Sequence, residues 1–245
     1  MDHKTIYPCV RLAEGELEER VITCGDPARA EKIAELLENP VCLQRNREFH
    51  SFTGSWKGVP VSVVSHGVGA GGAAIAFESM IKIGAKAIIR VGTCGGMQDG
   101  IDAGSIVVAT GACRDDGVTE RMLPIGYPAV CDYNVVLALD KAVKELEIKC
   151  EKGIIMTNAL FYAGLTESNV KLYAKAGVKA MENEAAPLFV LGSRYGIKTG
   201  CILTVDAKAF ELIGPEGYVP DTEKVKTGLE KSIVAALNAI SSMAL

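Results

Sequence analysis

The sequence predicts an α/β fold in which helices cover both faces of a mostly parallel, mixed sheet, in one domain spanning residues 1–245. Three observations predict it. Short runs rich in β-branched residues alternate with segments whose apolar spacing is helical. The strand candidates are nearly continuous apolar runs, as strands covered on both faces require. No low-complexity linker or internal repeat interrupts the alternation, and 245 residues suffice for a substantial core.

In chain order, "RVITC" at 20–24 is the first strand, and after "GDP" the spacing of "ARAEKIAELLEN" predicts a helix over 28–39. "QRNREFHSFTG" at 44–54 reads as a hairpin. "VPVSVVSH" at 59–66 is a strand, followed by a glycine-rich turn and a helix over 72–84. "AKAIIRVG" and "SIVVATGACR" are buried-type strands, and 133–148 is helical. Then come the strand "KGIIMTNA", a helix over 166–177, the strand "VKAMEN" and a helix over 186–196. The strand "KTGCILTVD" and an amphipathic helix over 221–243 close the chain. Ligands of such folds collect beyond the carboxyl ends of the strands.

Composition removes several classes of function. A net charge of −4 argues against a nucleic-acid surface, and no apolar run is long enough to span a bilayer. The first twenty residues lack the apolar centre of a signal peptide, so a cytoplasmic protein is expected. Eight scattered cysteines without a C-x-x-C pair read as reduced thiols, and three histidines outside any His/Cys cluster predict no metal site.

"GVGAGG" at 67–72 has the glycine spacing of a dinucleotide-binding turn. The acid expected about twenty residues later to hold a ribose is missing, because that strand ends "IIRVGTCGG". The simpler role is a turn that packs helix against strand closely. "IIRVGTCGG" says more: Arg90 ends an apolar strand, and a glycine loop carrying the Thr93 hydroxyl follows. Arginine matches a phosphate with parallel donors, and free loop N–H groups add others. "CGDPARA" repeats the pattern, with Gly25 and then Arg29 at a helix start. Arg29 alone could simply solvate a helix face; two strand-end arginines favour an anion site. Arg47, in the hairpin, divides evenly between surface and site.

Asp206 ends another buried strand, where burial raises a carboxyl pKa as a proton donor needs; a cap or a salt-bridged acid is the other role. Phe161 and Tyr162 follow a strand, where an aromatic side chain stacks on a flat ligand or fills core. In "MENEAAP", Pro187 is tolerable only near a helix start, so the helix begins close to Glu184. Strand alternation then points Glu182 and Glu184 the same way and Asn183 opposite, unless the junction twists. Two acids in a run that reads as buried must bind something.

Together "GDPARA", "NREFHSFTG", "SHGVGAGGAAIA", "IIRVGTCGG", "GYPAVCD", "ALFY" and "MENEAA" resemble, in order, the hexameric type of nucleoside phosphorylase, which includes purine nucleoside and uridine phosphorylases. The resemblance covers nearly the whole chain. It implies an α/β/α domain, a homo-oligomer built as a trimer of dimers or a smaller ring, and reversible phosphorolysis of a nucleoside to free base and ribose 1-phosphate. Inorganic phosphate is then a co-substrate and no cofactor is needed. Gly25, Arg29, Arg90 and Thr93 match the family's phosphate site, and Arg47 the arginine lent by a neighbouring subunit. Glu184 matches the acid on the ribose hydroxyls, Glu182 is read as a second sugar ligand ahead of a structural acid, and Asn183 lies beside the sugar. Cys94, Gly95, Phe161 and Tyr162 match the base site, and Asp206 the acid of the purine enzymes, which donates to the departing base.

Uridine phosphorylases carry a Gln-x-Arg clamp after the aromatic pair; Leu165 and Glu167 stand there instead, which favours purines. A pyrimidine phosphorylase that reads its base differently is the rival, followed by a nucleosidase and by a nucleoside-binding protein without catalysis. Asn183 stands where the family has methionine against the sugar, and Cys9 where it has a histidine for the 5′-hydroxyl; His3 lies six residues too early. Lys208, Lys224 and Lys226 are candidates for a basic residue assisting Asp206.

Overall fold

The computed structural model describes residues 5–162, 164–209, 220 and 222–245. Its strands are β1 (Ile6–Tyr7), β2 (Leu12–Ala13), β3 (Arg20–Cys24), β4 (Glu38–Asn46), β5 (Phe49–Trp56), β6 (Val59–Ser65), β7 (Ala87–Gly96), β8 (Ile106–Asp115), β9 (Ala129–Val130), β10 (Cys150–Asn158), β11 (Ala180–Glu182) and β12 (Lys198–Lys208). The helices are α1 (Pro27–Ala34), α2 (Ala70–Ile83), α3 (Thr119–Met122), α4 (Tyr133–Glu145), α5 (Val170–Lys175), α6 (Ala185–Tyr195) and α7 (Glu223–Ser242).

Alternation along the central strands builds the layers. Val21, Val64 and Ile88 pack on Phe77 of α2 and Phe189 of α6. Their neighbours Ile22, Val63 and Ile89 face the other way, onto Ile33 of α1, Leu139 of α4 and Leu237 of α7. The expected fold class holds, with helices on both sides of a mixed sheet.

The sheet is less parallel than the sequence suggests. β6, β3, β7 and β12 run parallel side by side, as do β8, β10 and β11. The β4–β5–β6 meander, β8–β9, β8–β12 and β7–β11 are antiparallel. Because β11 pairs with both β10 and β7, the strands β7–β12–β8–β10–β11 close into a ring.

Two helices, α1 and α5, fall short of their predicted ranges by four residues or more. α1 has its expected start, with the Asp26 side chain accepting the Ala28 N–H at 2.9 Å and Pro27 in the first turn. It stops at Ala34 because Asn39 lies at φ 51° before Pro40, and β4 begins at Glu38. α5 begins only at Val170, after the Ser168 hydroxyl has accepted the Val170 N–H at 3.1 Å and turned the chain. Among the described residues no helix is long and apolar enough to cross a membrane.

Candidate active site

Strands β3, β6, β7 and β12 end side by side, and a cleft of about 500 Å³ opens at their carboxyl ends. One wall is Gly25, Arg29 in the first turn of α1, Arg90 and Thr93. Glu182, Asn183 and Glu184 line it from the β11–α6 junction, and Cys94, Gly95, Phe161 and Asp206 line it as well. Eleven predicted site residues thus meet in one place. Arg47 and Tyr162 do not join them. Arg47 sits exposed at the β4–β5 turn at φ 53°, beside Glu48, which does line the cleft. Tyr162 is 69% exposed and meets Phe161 edge-on, ring centroids 5.1 Å apart.

Arg90 is the centre of the site. Its Nε and Nη2 donate to Glu182 Oε2 at 3.2 and 3.1 Å, and Nη2 also donates to Glu184 Oε2 at 2.5 Å. Burial works against its charge, but Glu184 and Glu182 outweigh that and push its pKa up. Glu182 itself is raised: burial leads, opposed by Arg90 and assisted by the charge of Glu184.

The two glutamates separate in role. Glu182 Oε2 also accepts the N–H groups of Glu184 and Ala185 at 2.8 and 2.9 Å, and its Oε1 accepts the Thr157 hydroxyl at 2.6 Å. Thr157 Oγ1 in turn accepts the Ala186 N–H at 2.9 Å. Glu182 and Thr157 therefore satisfy the first donors of α6, which a helix start otherwise leaves open. Glu182 is expected as a second sugar ligand; this geometry instead favours the structural acid. Among the described residues Glu184 accepts the Gly69 N–H at 2.7 Å, on Oε1, and Arg90, on Oε2, so each oxygen retains acceptor capacity, and the residue lines the cleft.

Asn183 corrects the expectation that it points away. Glu184, at φ −141° and ψ −10°, twists the strand end, and all three residues of 182–184 line the cleft. Asn183 Nδ2 donates to the Asn158 carbonyl at 2.6 Å. α6 itself starts at Ala185, one residue after Glu184, as Pro187 required.

Asp206 sits on a β-bulge. Val205 pairs with Cys94 and Ala207 with Gly95, so Asp206 is the extra residue whose side chain is re-aimed into the cleft. Next to it the Cys94 thiol is pushed well up, by burial first and by Asp206 second. Of the three candidate lysines only Lys208 lines the cleft. Its ammonium donates to the carbonyls of Gln98 and Ile101 at 2.8 and 3.1 Å and pairs with Asp102 at 2.9 Å. Leu165 and Glu167 are both exposed and outside the cleft, and Cys9 lies in the β1–β2 turn, its carbonyl accepting Asn46 Nδ2 at 2.7 Å.

His66 was not singled out in the sequence. It is fully buried, its Nδ1 2.8 Å from the Gly67 carbonyl and its Nε2 3.1 Å from Arg90 Nη1. Burial first, then Arg90, lowers its pKa well below the usual value, so the ring is neutral. The "GVGAGG" turn takes the simpler role foreseen for it, with Gly67 at φ 75° and Gly69 at φ 89°, and it also grips Glu184.

A Cβ on Gly92 would lie 2.8–2.9 Å from the Arg90 guanidinium, which its hydrogen bonds hold in place. Gly92→Ala is therefore expected to lose about 1–3 kcal/mol, the usual cost of overpacking. Urea unfolding of the two proteins measures it; an unchanged midpoint would show that the guanidinium can move aside.

The site offers the held Arg90 and, at a helix start, Arg29 for an anion, lone pairs for a pair of hydroxyls, and an aromatic side chain with an acid for a flat ring. A model of the phosphorylase superfamily matches residues 19–241. The chain is 33% identical over 238 residues to a guanosine phosphorylase of Halorubrum lacusprofundi, covering 96% of this chain and 98% of that protein. It is 38% identical over 206 residues to a uridine phosphorylase of Treponema pallidum, covering 80% of each. The crystal structure of a purine nucleoside phosphorylase from Toxoplasma gondii superposes with a TM-score of 0.93 at 34% identity, covering 98% of this chain and 97% of that one.

Proposed function

The chain belongs to the phosphorylase superfamily as a nucleoside phosphorylase, and from that premise we propose that it cleaves purine nucleosides reversibly to free base and ribose or deoxyribose 1-phosphate. Asp206, set on its bulge between Cys94 and Gly95 at the end of the cleft that carries Phe161, is the observation that supports a purine. A purine leaves with charge at N7, where an acid can donate; a departing pyrimidine has no such nitrogen.

Phosphate lies against Gly25, Arg29, Arg90 and Thr93, and one of its oxygens attacks C1′ as the glycosidic bond breaks. The bonding electrons leave with the base. The sugar passes through an oxocarbenium-like state, which the phosphate charge stabilises before the new bond forms. Glu184 accepts hydrogen bonds from the ribose hydroxyls, with Asn183 beside it, and fixes C1′ over the phosphate. The reaction needs no metal or organic cofactor. In this reading the enzyme is cytoplasmic, serves purine salvage and assembles as a hexamer in which Arg47 completes the phosphate site of a neighbouring copy; the exposed turn carrying Arg47 suits that role.

The 38% identity to a uridine phosphorylase keeps a pyrimidine enzyme as the competing reading. A screen of inosine, guanosine, adenosine and uridine, each with and without phosphate, decides. Phosphate-dependent loss of a purine nucleoside is expected to exceed that of uridine. Faster cleavage of uridine overturns the purine assignment, base release without phosphate identifies a nucleosidase, and binding without turnover a binding protein.

A further inference from the structure

We propose that His66 is a positioning residue for phosphate: as a neutral acceptor it fixes the Nη1 end of Arg90 and so aims that side chain at the anion. The inference rests on the reading of Arg90 as a phosphate ligand.

The tautomer follows from the contacts. The Gly67 carbonyl can only accept, so His66 Nδ1 carries the proton and donates at 2.8 Å. Nε2 is then a lone pair, 3.1 Å from Arg90 Nη1, whose N–H donates to it. The ring is held in this orientation by Phe77, edge-on with centroids 5.1 Å apart. Arg90 has five N–H groups. Glu182 and Glu184 take three of them on the Nε and Nη2 side, and His66 takes a fourth. Among the described residues the second Nη1 N–H has no protein acceptor. Since the guanidinium is planar and rigid, fixing one Nη1 N–H fixes the direction of the other.

The charge of the partner matters as much as its place. Two carboxylates already face one guanidinium, and a third acid at this position would turn the cluster further against an incoming anion. An imidazole supplies a lone pair without charge. The groups packed around His66 keep it so: Arg90 and Arg29 both oppose a proton on the ring, and burial opposes it more.

The turn that carries His66 also touches the other parts of the site. The Gly67 N–H donates to the Gly25 carbonyl at 3.0 Å, and the Gly67 carbonyl lies 3.0 Å from where a Cβ of Gly25 would stand. Two residues later the Gly69 N–H holds Glu184. One turn thus sets the anion loop, the buried arginine and the sugar acid in register.

Two variants test the role by steady-state kinetics with inorganic phosphate and the preferred nucleoside. His66→Phe keeps an aromatic ring against Phe77 and removes the acceptor. It is expected to raise KM for phosphate about tenfold or more, the loss of a hydrogen bond to a charged group, while KM for the nucleoside shifts less than about threefold. His66→Gln carries an uncharged acceptor and is expected to recover most of the phosphate affinity. A folded His66→Phe enzyme with wild-type phosphate KM overturns the proposal, as does a His66→Gln enzyme equally impaired. If His66→Phe does not fold, the phosphate KM of His66→Gln decides alone, a wild-type value supporting the proposal and a tenfold rise overturning it. A wild-type enzyme without phosphate-dependent turnover instead fails the underlying reading, before either variant is made.

Discussion

Replacing Arg90 by methionine is expected to lower folding stability by about 3–5 kcal/mol and to reduce phosphate-dependent turnover to background. The guanidinium is 3% exposed and is the cation facing both Glu182 and Glu184. Methionine fills much of the volume but leaves two buried carboxylates opposite each other, which is costlier than the absence of the whole cluster would be. The loss should depend on pH with a definite sign. Glu182 is raised above its ordinary value even in the presence of Arg90, and without that cation it rises further. A carboxyl raised in the folded state binds its proton more tightly there than in the unfolded chain. Its folded form is therefore penalised progressively as pH climbs through the folded pKa, and the penalty is absent below the unfolded value of about 4.3. The stability difference between wild type and Arg90→Met should shrink as pH falls from neutrality toward that value. Denaturant midpoints at a series of pH values measure this, and a difference that stays constant would show that Glu182 does not take up the proton.

The second large effect is on turnover. Asp206→Ala is expected to reduce inosine turnover by roughly 10²–10⁴-fold, the range for loss of a positioned acid, with phosphate KM nearly unchanged. The separation follows from their places in the fold: Asp206 sits on the β12 bulge beside Cys94 and Gly95, whereas Arg29 lies in the first turn of α1. Unchanged inosine turnover in Asp206→Ala would remove Asp206 from the mechanism, and a raised phosphate KM would move its role to the anion.

Much of this site is legible in the sequence because the fold concentrates unusual residues at strand ends. Arg90, Glu184 and Asp206 each interrupt or end an apolar run, and local pattern alone marks them as anomalies. Glu182 shows the limit of such reasoning. Strand alternation gives it the same direction as Glu184, but its partners are Thr157 and the first N–H groups of α6, and whether a carboxylate is consumed by its own helix is a matter of three-dimensional contact. His66 escaped because a lone histidine at the end of a buried strand reads as core, and its significance depends on Arg90, 24 residues away. The shortened α1 and α5 show local conflict: helical apolar spacing extends past Ala34, but the Asn39–Pro40 step ends the helix. The ring closure is invisible for another reason. Two residue pairs join β11 to β7, and so small a non-local pairing leaves no periodic trace.

That closure has a kinetic side. β11 joins strands from distant parts of the chain, since Met181 pairs with both Met156 and Gly95. Loops of this length are slow to close, and the contacts that reward closure form only afterwards. Until β11 is in place, Arg90 lacks both carboxylates and α6 lacks its non-local acceptor, Thr157. Recovery of activity on refolding is therefore expected to lag behind recovery of the helices and of the rest of the sheet.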